Sequence, residues 1–177
     1  MQNQRKRIMN KKFLLVICLF FSLTLFCQTK EEVLRDAKIT SKATLESKFE
    51  TVLNYTYPPV LKIMGGKDQA LSLVTDTMNT MKKQGFIFKS AEVLEVSEII
   101  NEQNQYRCYV KTKNIMHINK MKITSISYLL GIYNTEAKLW NFIEAKQLSN
   151  PMMSSVLPDF KTSLKIPKGT VKTEEID

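Results

Sequence analysis

Few side chains in this 177-residue sequence could do chemistry. His117 is the only histidine, and it stands between Met116 and Ile118. Imidazole is a base near neutral pH, but it acts as one only with an orienting acceptor and a substrate cleft. Cys108 alternates with Tyr106 and Val110 in a strand-like run, which places its thiol on an apolar face as a small hydrophobe rather than an activated nucleophile. Glu144 is the only acid in the apolar run Leu139 to Ala145. Tyr106, Tyr109, Tyr128 and Tyr133 lie on neighbouring strand-like runs, and taken alone such tyrosines and glutamates read as packing and solvated surface. One histidine and one cysteine, without clustered carboxylates, do not make a transition-metal site, so no metal and no cofactor is expected. Gly65-Gly66 lacks the further glycines and the Lys-Ser/Thr of a phosphate loop, and reads as a helix stop. Met64, Met78 and Met81 suit core filling, or an adaptable binding surface.

The elements that would position these residues change period at Gly85. Before it, Leu45, Phe49, Val52 and Leu53 recur at three and four, which predicts a helix between Val33 and Leu53. Tyr57-Pro58-Pro59 interrupts it, and Pro59 opens a short helix through Met64. Asp68 is the expected cap of a longer helix with Leu71, Val74, Met78 and Met81 on one stripe, closed by Lys82, Lys83 and Gly85. Beyond Gly85 the period is two. Four runs, Phe86 to Val96, Tyr106 to Lys111, Ser125 to Ile132 and Leu139 to Ala145, predict a four-stranded antiparallel meander, with an irregularity near Ser90. Ser149-Asn150-Pro151 starts a short C-terminal helix ended by Pro158. Residues 168–177 are polar and are expected to form a flexible tail. The fold class is therefore α+β, with N-terminal helices packed on the curved meander.

The first 27 residues are a separate unit. Arg5, Lys6, Arg7, Lys11 and Lys12 precede an apolar run from Phe13 to Phe26, the layout of a secretory signal peptide. That run is shorter than the roughly 20 residues a membrane-crossing helix needs, so no permanent anchor is expected. Cleavage near Cys27 would release a secreted or periplasmic domain over 28–167. Acylation at Cys27, as in a lipoprotein, is the lesser alternative because bulky Phe26 precedes the cysteine. The formal charge of +9 also changes on cleavage: 21 Lys and Arg remain against 17 acids, a balance of +4. These charges are dispersed and lack aromatic interleaving, which argues against nucleic acid as a partner. With only Cys108 left, no internal disulfide forms, and about 150 residues bury enough surface to fold around one core without one.

The order of helices and strands between Ala43 and Ala145 resembles the cone-shaped nuclear-transport-factor-2-like and cystatin-like folds. Tyr57-Pro58 through Gly65-Gly66-Lys67, Gly85-Phe86-Ile87-Phe88, Leu139-Trp140-Asn141-Phe142-Ile143 and Leu157-Pro158-Asp159-Phe160 also resemble a group of small secreted bacterial proteins without assigned function. The early β-hairpin usual in the transport-factor pattern is not visible. The cone resemblance implies a pocket between curved sheet and helices. Ketosteroid isomerases and polyketide-cyclase-like enzymes of that shape place an acid or histidine there with a tyrosine, which makes Tyr106, Tyr109, His117, Tyr128, Tyr133 and Glu144 the pocket candidates.

The expectation is a secreted, non-enzymatic domain that binds a small apolar ligand or a protein partner. The alternative is an isomerase or hydrolase using Glu144 or His117 with a tyrosine. A cystatin-like inhibitor or assembly partner would instead present an open sheet edge. A homodimer through the open sheet face is compatible with the same shape.

Overall fold

The structure, a computed structural model, describes residues 28–176. The signal segment expected over 1–27, with its cleavage or acylation near Cys27, lies outside the described residues. The fold is α+β, built from helices and an antiparallel sheet.

Helix α1 spans Lys30–Leu45. Thr29 caps it: its hydroxyl accepts the Glu32 N–H (3.2 Å), while the Glu32 carboxylate accepts the Thr29 N–H (3.1 Å). Two otherwise orphaned donors are satisfied by this reciprocal pair. Val33 and Ala37, one turn apart, are buried with Asp36 and Ala43. The single helix expected as far as Leu53 is broken, because Ser47 takes a left-handed conformation (φ 57°) and the Lys48 N–H turns back to the Ala43 carbonyl (2.8 Å). Helix α2, Phe49–Asn54, then restarts with Phe49 and Leu53 buried. Helix α3 is Pro58–Ile63, with proline in its first turn, and α4 is Lys67–Lys83. Asp68 stands in the first turn of α4 rather than at its cap, which is Gly66. Only Ala70 of α4 is fully buried, and its expected apolar stripe is half-buried.

Among the described residues the sheet has six strands rather than the expected four. They are β1 (Phe86–Val96), β2 (Ile100–Glu102), β3 (Gln105–Ile118), β4 (Met121–Asn134), β5 (Leu139–Glu144) and β6 (Thr170–Glu175). The main path runs β1-β3-β4-β5, while β2 pairs with β3 and β6 with β4. The irregularity expected near Ser90 is a register shift between Phe88 and Ser90. β3 pairs with one edge of β4 from Met121 to Ile132. The other edge is shared, since β5 takes Leu129 to Asn134 and β6 takes Met121 to Ile126. Thr170–Glu175, within the stretch expected to be a flexible tail, instead complete the edge that β5 leaves open, held by backbone hydrogen bonds.

Both faces of the sheet are covered. On one, Val33 and Ala37 of α1 pack with Cys108, Val110, Trp140 and Phe142. Burial pushes the Cys108 thiol up to about 12, so it remains a protonated core group. On the other, Leu130, Ile132 and Ile143 pack with Met153, Val156 and Leu157 from α5 (Met153–Val156) and the residue after it. Phe160, Leu164 and Ile166 extend this cover, so residues 157–166 form a strap across the sheet. Arg107, adjacent to Cys108 in β3 and so on the opposite face, is 2% exposed beneath that strap.

Gly131 shows how closely the α1 face is packed. A Cβ there would lie 3.0 Å from Cys108 Sγ, 3.4 Å from the Trp140 ring and 3.5 Å from the Phe142 ring. Gly131→Ala is expected to destabilise the fold by about 1–3 kcal/mol through overpacking, measured by urea unfolding. A neutral result would mean that the two rings shift freely.

Candidate functional site

The site is built at the end of β5, where one strand edge has no partner strand. Its backbone groups are instead satisfied by the N-terminal helices and their connections. The Trp140 N–H donates to Asp36 Oδ2 of α1 (2.9 Å). The Phe142 N–H donates to the Tyr55 carbonyl (2.7 Å), and the Tyr57 N–H donates to the Phe142 carbonyl (3.2 Å). Asn141, 2% exposed, donates its amide to the carbonyls of Asn54 (3.3 Å) and Thr56 (3.2 Å). Residues 54–57 are thus laid along β5, and α3 follows immediately.

This arrangement leaves a cleft of about 400 Å³ between Thr40 of α1, Tyr55, the α3 residues Val60 and Ile63, and Phe142. Met64, Met152 and Met153 add flexible thioether walls. The volume lies within the range of small-molecule sites. Its polar lining is sparse: Thr40, Thr56, Gln147 and Asn150, with the Tyr55 phenol and the Glu144 carboxylate as its ionisable groups.

Glu144 ends β5 opposite Leu129, where the chain turns into a 3₁₀ segment over Ala145–Ser149. Among the described residues its carboxylate makes no hydrogen bond or ion pair. Burial holds its pKa above the ordinary carboxylate range, with nearby Lys146 offsetting part of the effect. The folded chain thus keeps this proton to higher pH than the unfolded chain. The ionised group costs stability as the pH rises past the usual carboxylate range, fully so above the raised pKa. The Tyr55 phenol is also pushed up, first by burial and then by the Asp36 carboxylate.

Of the six candidates from the sequence, only Glu144 borders this cleft. Tyr106 packs against the α1 core, and Tyr133 sits edge-on to Trp140 with ring centroids 5.5 Å apart. Tyr109 and Tyr128 form a second edge-on pair at 5.7 Å. His117 pairs with Lys122 near the β3–β4 turn and borders neither this cleft nor the groove behind it. That groove, about 630 Å³, runs between β4 and residues 162–171, and brings Tyr128 and Glu144 to one wall with Lys146 and Lys168. Tyr55 was missed because it stands on the connection between α2 and α3, outside the strand-like runs in which alternation marks a tyrosine's face. Pro58 restricts only Tyr57 directly, so no local signal placed Tyr55 on the cleft.

The cleft can hold an apolar body and offer one carboxyl group to it. Acid–base catalysis would need a second group in register, and Tyr55 and Glu144 share the wall without a hydrogen bond between them. Among the described residues no three His, Cys, Asp or Glu side chains gather as a metal site, and no helix is long and apolar enough to cross a membrane. Comparison with protein-family models, with curated proteins and with solved structures finds no match to this chain.

Proposed function

We propose that this protein is an exported, non-enzymatic domain that binds a small, largely apolar ligand in the cleft at the end of β5. The observation carrying the proposal is the cleft itself, about 400 Å³ and walled mainly by Tyr55, Val60, Ile63, Phe142 and methionines. Burying apolar ligand surface there stabilises a complex by roughly 25 cal/mol per Å², before the costs of association. The proposal takes the scaffold to be of the cone type, with the helices on the β1-β3-β4-β5 path and the cleft at its wide end.

The test uses N-phenyl-1-naphthylamine, an apolar fluorophore that is uncharged at pH 7. Its emission is expected to rise on mixing with the protein and to saturate. Ile63 lines the cleft yet is 44% exposed, so Ile63→Asp puts a charge on the wall at little cost to the fold. That variant is expected to lose at least tenfold in dye affinity with an unchanged melting temperature. Equal binding by both proteins would place the dye elsewhere and remove the cleft as the site.

A second reading, an isomerase-type enzyme, is favoured by one observation: Glu144, its pKa raised by burial, shares the cleft with Tyr55. Turnover of an enolisable cyclic ketone that is abolished by both Glu144→Gln and Tyr55→Phe would establish it over binding alone.

A further inference from the structure

We infer that the cleft selects a ligand carrying one protonated amine on an apolar body, with Glu144 as the group that recognises the ammonium. This rests on the cleft being a ligand site and adds the chemical class of its occupant. Three observations carry it. Among the described residues, Glu144 is the only acidic side chain on the cleft wall, and no Lys, Arg or His lines that wall. Its carboxylate is half-buried and, among the described residues, has no hydrogen-bond donor of its own. The surrounding surface is apolar and includes the rings of Tyr55 and Phe142, whose faces also attract a cation.

A carboxylate drawn partly out of water without a donor has two remedies: take up a proton, or pair with a cation. An ammonium supplies both charge and donors, and a charge-assisted bond in such surroundings is about twice as strong as a neutral one. An anionic ligand is disfavoured, because it would bring like charge to Glu144. The cations that would welcome an anion, Lys146 and Lys168, line the groove on the other side of Glu144 rather than the cleft. The titratable groups around the carboxylate are thus Tyr55 in the cleft and, on the groove side, Tyr128, Lys168 and Lys146, the last of which favours its ionised form.

The experiment compares three probes of one shape at pH 7: 4-phenylbutylamine, 4-phenylbutanol and 4-phenylbutyrate, each displacing N-phenyl-1-naphthylamine and each measured by calorimetry. The amine is expected to bind about tenfold tighter than the alcohol, and the acid weakest. In Glu144→Gln, nearly the same shape without the charge, amine and alcohol should become equal. Amine affinity should fall as the pH drops into the range where Glu144 takes up its proton, while alcohol affinity stays level. Equal affinities in the native protein, or an amine preference that survives Glu144→Gln, overturn the inference and leave the cleft as an apolar site. Failure of every probe, the fluorophore included, overturns the cleft as a binding site as well.

Discussion

Asp36→Ala is expected to lower stability by about 3 kcal/mol, a large loss for one side chain. The Asp36 carboxylate is 1% exposed and accepts two bonds, from Arg35 Nε and from the Trp140 backbone N–H, both at 2.9 Å. These bonds are unequal. Arg35 is half in solvent and its pairing contributes little. Trp140 is fully buried at the edge of β5, and its N–H has no other acceptor within the sheet. Removing the carboxylate leaves that donor unpaired, roughly 1–3 kcal/mol, and opens a small cavity beside Trp140. Asp36→Asn keeps an acceptor for the Trp140 N–H and is expected to cost only about 1 kcal/mol. Trp140 is the sole tryptophan, so its fluorescence during urea unfolding reports the affected strand directly. A loss below about 0.5 kcal/mol in Asp36→Ala would mean that water takes over the bond.

How much of this was legible in the sequence depended on whether an element carried an apolar period. α4 and the strands β1, β3, β4 and β5 each turn at least one face inward, half-buried in α4 and β1, and their periods of 3.6 or 2 showed it. The break at Ser47 was not visible, because Leu45 and Phe49 keep a spacing of four across it. Any helix-period reading runs straight through such a turn. β6 was hidden for the opposite reason: Thr170–Glu175 is exposed over nearly its whole length, so it has no inward face to alternate with an outward one. Its place is set by the vacant half of the β4 edge, a property of the assembled sheet. Glu144 was legible as an acid inside an apolar strand. Its sharing of a cleft with Tyr55 was not, because that depends on residues 54–57 running along β5, a contact between segments more than eighty residues apart.

Arg107 is the clearest case of chemistry that local pattern concealed, and its loss is expected to release the strap. Arg107 faces away from Cys108, and Leu157, Phe160, Leu164 and Ile166 cover that face and bury the guanidinium. Each of its three nitrogens donates: Nη1 reaches the Lys161 carbonyl at 2.8 Å, Nη2 reaches Gln105 Oε1 at 2.7 Å and Gln103 Oε1 at 3.0 Å, and Nε reaches Gln105 Oε1 at 3.1 Å. The group also lies 4.7 Å over the Phe160 ring, so one side chain ties the β2–β3 turn to the strap by bonds and by stacking. Arg107→Ala strands these acceptors and the packing of Phe160 together, a loss of about 3–4 kcal/mol. Arg107→Lys retains the charge but cannot span the same acceptors with one ammonium, and is expected to fall about midway. Because the strap carries Lys161 and Lys165, with Lys168 just beyond its end, limited trypsin digestion followed by mass spectrometry tests this locally. Cleavage at these three sites should accelerate in Arg107→Ala well before the remainder of the chain is cut. Uniform acceleration along the whole chain would instead mean that Arg107 supports global folding, with no particular hold on the strap.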